Sequence, residues 1–301
     1  MSAIAAIITS QVVSAQNADS ITAQYRVEAG RSAACEVLTT VQEGAQVSLP
    51  FRIVGGRVYI EAMVNDLGPF TFAVDTGASG LGRADASLVA ALNLTTAGVT
   101  STSDGVSTSS VDTVRLASLA VGGLVKDNLE VITRDYSSSV PPEAAIAGIV
   151  GRDFFADGLL VIDFPARRLI FTRATGLVTE MGGALPYDRA FRVPVWIGDR
   201  QMLANLDTGA AVALVLPLAV YNDIMAGPLQ TAAPARLTNN VIDTGRATVH
   251  GPLRVGEASL MEVEARVAER FPEVMIGGEV LQDYIVAFDQ RKQRVAVCAG
   301  K

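Results

Sequence analysis

The chain has one histidine, His250, and two cysteines, Cys35 and Cys298. Catalytic triads that use histidine as the base, HExxH zinc sites and multi-histidine metal centres all need histidine at a defined place. His250 lies in the alternating run Ala247-Thr248-Val249-His250-Gly251, which reads as a partly exposed strand position. Two cysteines 263 positions apart cannot form a CxxC zinc or redox motif; they allow one disulfide if the compartment is oxidising. No metal and no cofactor is expected.

Charge is also scarce. Only 18% of the 301 residues are Asp, Glu, Lys or Arg, and the formal net charge is −7. An acidic chain without a Lys/Arg block lacks the electrostatic footprint of a nucleic-acid partner. No run approaches the ~18 consecutive apolar residues of a membrane span, so no integral membrane segment is expected. Half of the residues are hydrophobic, which excludes disorder and is enough for a sizeable core.

The apolar stretch Ala3 to Ile8, followed by Val13-Ser14-Ala15, reads as a signal peptide over residues 1–15, although no Lys or Arg precedes it. Export to a periplasmic or secreted location is the expectation. Residues 16–46 carry little pattern and read as an N-terminal extension: a tether, a prosegment or an added outer strand. From Val47 the chain is strand-rich, with stretches such as Arg57 to Val64, Phe70 to Val74, Val111 to Leu116 and Leu159 to Phe164 separated by Gly, Asn, Asp and Ser. Two short helical patches are expected at Ala84 to Leu92 and Leu218 to Met225. Residues 175–188 read as a linker between 47–174 and 189–301.

Three landmarks recur in the same order. Phe72-Ala73-Val74-Asp75-Thr76-Gly77-Ala78 returns as Ala204-Asn205-Leu206-Asp207-Thr208-Gly209-Ala210. Ile149-Val150-Gly151 returns as Met275-Ile276-Gly277, and Ile162-Asp163-Phe164 as Phe288-Asp289-Gln290. The chain therefore reads as two copies of one lobe. Each copy ends an apolar strand on an aspartate, turns through Thr-Gly-Ala and later supplies an apolar-apolar-Gly segment. A third triplet, Asp243-Thr244-Gly245, has no such segment left over and reads as a hairpin tip.

This pattern resembles the aspartic proteases, most closely the retroviral-type (retropepsin-like) branch, in a two-lobed single-chain bacterial-type form, over about Val47 to Val297. The resemblance implies a mostly β fold of two homologous acid-protease β-barrel lobes with a central cleft. It implies peptide-bond hydrolysis by a water held between Asp75 and Asp207, a peptide or protein substrate, and a monomer, since one chain carries both motifs. Dimerisation of the whole chain is a weaker alternative. Thr76, Gly77, Ala78, Thr208, Gly209 and Ala210 would shape the site, with the two threonines bonding across the pseudo-dyad. Asp104-Gly105 would turn a flap hairpin over Thr100 to Ser110, with Asn239 to Arg246 as its counterpart. The chain termini of such enzymes meet at an inter-lobe sheet, which would make Cys35 and Cys298 neighbours; two separate buried thiols remain the alternative.

The residue types suit this chemistry. Two carboxylates within hydrogen-bonding distance share a proton and titrate as a pair, a behaviour known from aspartic proteases themselves. Ala78 and Ala210 stand where pepsin-like enzymes have serine, removing a hydroxyl donor, so activity is expected to reach toward neutral pH. Ala211 stands where the first copy has Ser79, and neither flap segment has a tyrosine. A non-catalytic peptide-binding or scaffold module on the same fold is the rival reading. Arg52-Ile53-Val54-Gly55-Gly56 imitates the activation site of trypsin-type enzymes, but their His and Gly-Asp-Ser-Gly-Gly elements are missing. It reads as a turn before a strand or a processing site.

Overall fold

A computed structural model describes residues 31–300 except Met225. The expected signal peptide and the first part of the extension lie outside the described residues. From Arg31 onward the chain forms one compact unit, mostly β, arranged as two similar sheets and a third that they share.

The first sheet starts with a hairpin, Arg52–Val54 against Arg57–Val64, which turns at Gly55 and Gly56. Both glycines have positive φ, 53° and 80°, the left-handed pair that a tight two-residue hairpin turn requires. The trypsin-like string is thus a turn. Beyond it the order is Arg57–Val64, Leu67–Asp75, Gly148–Gly151, Gly82–Asp85, Leu124–Arg134, Thr108–Val121 and Thr96–Ser103. Arg57–Val64 also pairs with Thr108–Val121 through Met63 with Ala120 and Val64 with Leu119, closing the sheet on itself.

The second sheet repeats this order: Arg192–Ile197, Arg200–Asp207, Val274–Gly277, Leu214–Pro217, Val263–Ala268, Gly245–Val249. The long strand Thr108–Val121 has no continuous equivalent. Its counterpart breaks at His250-Gly251-Pro252 into Gly245–Val249 and Leu253–Val255, the second of which pairs with Arg192–Ile197. Proline has no N–H to give a ladder, so the strand bends there and its carbonyl accepts from Gly198 instead. His250 itself is exposed, just past the strand, and bonds Glu262 through Nδ1 at 2.9 Å.

The shared sheet has six strands in the order Val47–Pro50, Arg168–Thr172, Leu159–Asp163, Tyr284–Asp289, Arg294–Ala299 and Leu185–Pro186. At its centre Leu159–Asp163 runs antiparallel to Tyr284–Asp289, with Val161 opposite Ala287. Segment 175–188 therefore contributes a strand of its own. Residues 31–46 form a short helix, Ala33–Val37, and a 3-10 turn, Val41–Gly44, and no strand. Ala34, Cys35, Leu38 and Val41 bury themselves against Leu159, Val161, Ile170, Ala287 and Ala296 of the shared sheet. Cys35 is disulfide-bonded to Cys298 of Arg294–Ala299, with a Cα–Cα distance of 5.6 Å.

The helical patches are shorter than their sequence patterns. Ala84 and Asp85 lie in the strand Gly82–Asp85, and the helix runs Ala86–Ala91, capped by Asp85 accepting from Ser87 N at 2.9 Å. The second helix is Leu218–Asp223 after Pro217.

Candidate active site

Each sheet delivers one aspartate by the same device. Leu67–Asp75 runs parallel to Gly148–Gly151 with Asp75 opposite Gly151, and Arg200–Asp207 runs parallel to Val274–Gly277 with Asp207 opposite Gly277. The apolar strand residues Val74 and Leu206 are buried and end at a polar turn. Gly151 and Gly277 are required by close approach. A Cβ on Gly151 would collide with the Gly80 carbonyl and one on Gly277 with that of Val212. Next to them, Arg152 N donates to Ala78 O at 3.0 Å and Gly278 N to Ala210 O at 2.9 Å.

The two turns grip each other. Thr76 Oγ1 donates to Leu206 O at 3.1 Å and accepts from Thr208 N at 3.0 Å. Thr208 Oγ1 donates to Val74 O at 3.0 Å and accepts from Thr76 N at 3.2 Å. Both threonines are buried, so all four polar groups depend on this exchange. Gly77 packs on the Asp207 carboxyl and Gly209 on that of Asp75; a side chain on either would strike the opposing carboxylate. Ala78 N donates to Asp75 Oδ1 and Gly209 N to Asp207 Oδ1, each at 2.8 Å.

Both aspartates keep a partly exposed edge on a cleft of about 650 Å³ between the sheets. Protein atoms nevertheless crowd the Asp207 carboxyl. Burial and then the negative charge of Asp75 raise it to about 7, against the pull of the Gly209 and Ala210 N–H groups. The rise has the sign expected from the alanines that follow the turns, but its causes are burial and Asp75.

The expected site residues converge here. Asp75, Gly77, Ala78, Asp207, Gly209 and Ala210 line the cleft, Thr76 and Thr208 lie beneath it, and Asp104 and Gly105 reach it from above. Asp104 sits at the tip of the hairpin Thr96–Ser103 and Thr108–Val121, accepting from Val106 N at 3.1 Å and Ser107 N at 2.8 Å. Burial pushes its carboxyl up, but N–H donation from Ser107, Asn239 and Val106 outweighs that and holds it below the usual carboxylate range.

The second expected hairpin is corrected. Asp243-Thr244-Gly245 is no tip; the chain reverses at 237–240 between Ala235–Arg236 and Val241–Ile242, with Leu237 N donating to Asn240 O at 2.7 Å. The two asparagines supply the turn, while Thr244 Oγ1 is drawn to Ala233 O at 2.8 Å. Asn239 reaches across the cleft. Its N donates to Asp104 Oδ2 at 2.8 Å, its Nδ2 to Thr102 O and Ser107 O at 3.0 Å, and its Oδ1 accepts from Arg134 Nη2 at 2.6 Å.

Sequence reasoning missed several residues of the site: Asn239 as a latch, Arg57 and Arg152, and the cleft residues Arg83 and Tyr136. Arg57 Nε donates to Gly209 O at 2.7 Å and Arg152 Nη1 to Gly77 O at 2.9 Å, so each turn glycine is held by an arginine. Arg152 directly follows Ile149-Val150-Gly151 and was readable there. Arg57 was not, because its partner is 152 positions away.

A second cavity, about 560 Å³, lies against the outer side of the second sheet. Its charged residues are engaged with each other, Arg200 with Asp223 and Arg192 with Glu273.

Residues 60–154, about a third of the chain, match the aspartyl protease family. The match covers the first Asp-Thr-Gly turn and its Ile-Val-Gly segment and supports a general aspartic-protease function. No curated protein matches the chain.

Proposed function

We propose that the protein is an aspartic endopeptidase of the retropepsin-like type, two-lobed within one chain and working as a monomer, with Asp75 and Asp207 as its catalytic pair. The observation that carries this reading is the placement of both carboxyls against each other's turn glycine on the floor of one cleft.

A peptide held extended between the sheets presents its scissile carbonyl to the pair. The pair shares one proton, which burial and the closeness of the two carboxyls favour. The ionised member takes a proton from the trapped water as the oxygen attacks the carbonyl carbon, and the protonated member gives its proton to the carbonyl oxygen. The gem-diol collapses when the amide nitrogen receives the proton taken from the water and a diol hydroxyl returns one to the other carboxyl. The C–N bond breaks, and a carboxylic acid and an amine leave. Gly209 N and Ala78 N hold the two carboxyls in place throughout.

The test is cleavage of a diverse peptide library between about pH 3 and 8, with and without a statine-type transition-state inhibitor. Inhibitor-sensitive cleavage that disappears in Asp75→Asn is expected. Tight peptide binding by the wild type without cleavage at any pH would instead favour the binding-module reading.

Export to a periplasmic or secreted location is proposed with it, supported by the Cys35–Cys298 bond, because disulfides persist in oxidising compartments. Intact mass of protein recovered from cells checks both points: loss of the leader and a two-proton gain on reduction. An intact Met1 would refute export.

A further inference from the structure

Arg83 lies on the strand Gly82–Asp85, flanked by Gly82 and Ala84, and pairs with Ile149 on one side and Ile132 on the other. It is only 9% exposed and lines the cleft. Its Nε is buried with no hydrogen-bond partner, and among the described residues it forms no ion pair. The carboxylate nearest in sequence, Asp85, is taken up by Ser87 and by Tyr136 N. The Tyr136 hydroxyl, on the same cleft wall, is also buried without a hydrogen bond of ordinary geometry, and the Arg83 guanidinium is the main positive charge acting on it. Tyr136 packs against Tyr59, Ala73, Ala78, Ile146 and Ile149, the last of which is the strand partner of Arg83.

A guanidinium stays charged at any ordinary pH, and a buried N–H of it left without an acceptor is unfavourable. Such a group is tolerable when its partner arrives from outside. Its planar fork matches a carboxylate with two parallel hydrogen bonds, and the neighbouring phenol adds a third donor.

The second sheet answers with a different residue. Val215 holds the place of Arg83, pairing with Met275 as Arg83 pairs with Ile149. The wall around Val215 is apolar, made of Val106, Leu237, Ile242, Ala268, Phe271 and Met275. Arg236 and Arg266 also line the cleft but are more exposed than Arg83.

We propose that Arg83, with the Tyr136 hydroxyl, forms the floor of a substrate pocket for an acidic side chain. The preferred substrate would then carry Asp or Glu on the first-sheet side of the scissile bond and a large apolar residue on the other. The inference rests on the peptidase reading above and names its substrate class.

Matched peptides that differ only by Glu or Gln, or Asp or Asn, at the residue flanking the cleaved bond test it. Wild type should favour the acidic member ~10–100-fold in kcat/KM, the range expected when a charge-assisted hydrogen-bond pair is gained or lost. Arg83→Met should bring the two members level, whereas Arg266→Met should leave the preference in place. Cleavage without any preference for the acid, or a preference lost in Arg266→Met but kept in Arg83→Met, overturns the proposal and leaves the peptidase reading standing. If nothing is cleaved, calorimetric titration of the same pairs into wild type decides. Tighter binding of the acidic member, abolished by Arg83→Met, keeps the pocket and removes the peptidase; equal or absent binding removes both. The comparison within wild type needs no variant to fold.

Discussion

The two halves of the molecule agree closely at the threonine grip and diverge one strand further out. At the bottom of the cleft the threonine exchange and the register of each aspartate strand on its apolar-apolar-Gly segment are matched, and only the N–H that holds each carboxyl differs, Ala78 N on Asp75 and Gly209 N on Asp207. One strand further out, the position that Arg83 holds in the first sheet is held by Val215 in the second. Above the cleft, a long hairpin from the first half meets a four-residue turn from the second. Equality is imposed where each half completes the other, since a single carboxyl cannot hold and move the proton of a pair. Where the surface would meet a substrate the halves are free to differ, because a peptide has different side chains on the two sides of its scissile bond.

The largest effect should come from breaking the equality at its centre. Asp75→Asn and Asp207→Asn are each expected to lower peptide hydrolysis by at least ~10³-fold, because neither half supplies both a proton donor and an acceptor. Initial rates on a peptide found by library screening would measure this. A variant at one aspartate that kept most of its activity would mean the halves are not equivalent partners.

The second effect separates the halves electrostatically. The folded state raises the affinity of the Asp207 carboxyl for a proton from an ordinary value of 3.8 to about 7. Between those pH values the folded protein holds a proton that the unfolded chain has released, so this contribution is complete below about pH 4 and is lost as pH rises toward 7. At up to ~1.4 kcal/mol per pH unit, the loss amounts to a few kcal/mol. Urea midpoints measured from pH 4 to 8 should therefore fall with pH in wild type and fall less steeply in Asp207→Asn. Hydrolysis should decline as pH rises through 7, when the proton donor is lost.

Much of the shared machinery was legible in the sequence, since a repeated motif states its own symmetry. Asp75, Thr76, Gly77 and their partners could be found from local strings, and so could the downstream glycines. The asymmetric parts were not legible. Arg83 reads as one more polar residue between Gly82 and Ala84, and only the sheet shows that no acid stands opposite it. Asn239 sat in a stretch whose Asp243-Thr244-Gly245 looked like the better turn; the reversal came earlier because Asn240 also holds Val241 N, at 2.9 Å. Residues 31–46 carry little pattern because their helix is five residues long and is held by burial of Ala34 and Cys35 and by the disulfide.

A third effect tests how even the grip is. Thr76→Val and Thr208→Val each keep shape and remove one hydroxyl, orphaning a buried carbonyl and a buried N–H on the opposite turn. Each should cost about 1–3 kcal/mol, and the two costs should agree within a few tenths. Denaturant unfolding of both variants would show it. A marked inequality would place more of the load on one turn.

The smallest effect concerns the roof, where the halves are least alike. Asn239 bonds Asp104, Thr102, Ser107, Ser109 and Arg134, so one side chain and its N–H join the second half to the first-half hairpin tip. These bonds lie at a partly exposed surface, where a net worth of about 1 kcal/mol each is the upper end. If the cleft admits a peptide as proposed, the peptide would also have to lift the tip past them. Asn239→Ala should then change global stability by less than ~1 kcal/mol and speed hydrogen exchange in the tip around Gly105 and Val106. Peptide association should become faster and the bound peptide leave sooner, because the same latch opposes entry and retains what has entered. If exchange at the tip is unchanged, the hairpin is held by its own Asp104 turn, and the contact across the cleft adds nothing to its closure.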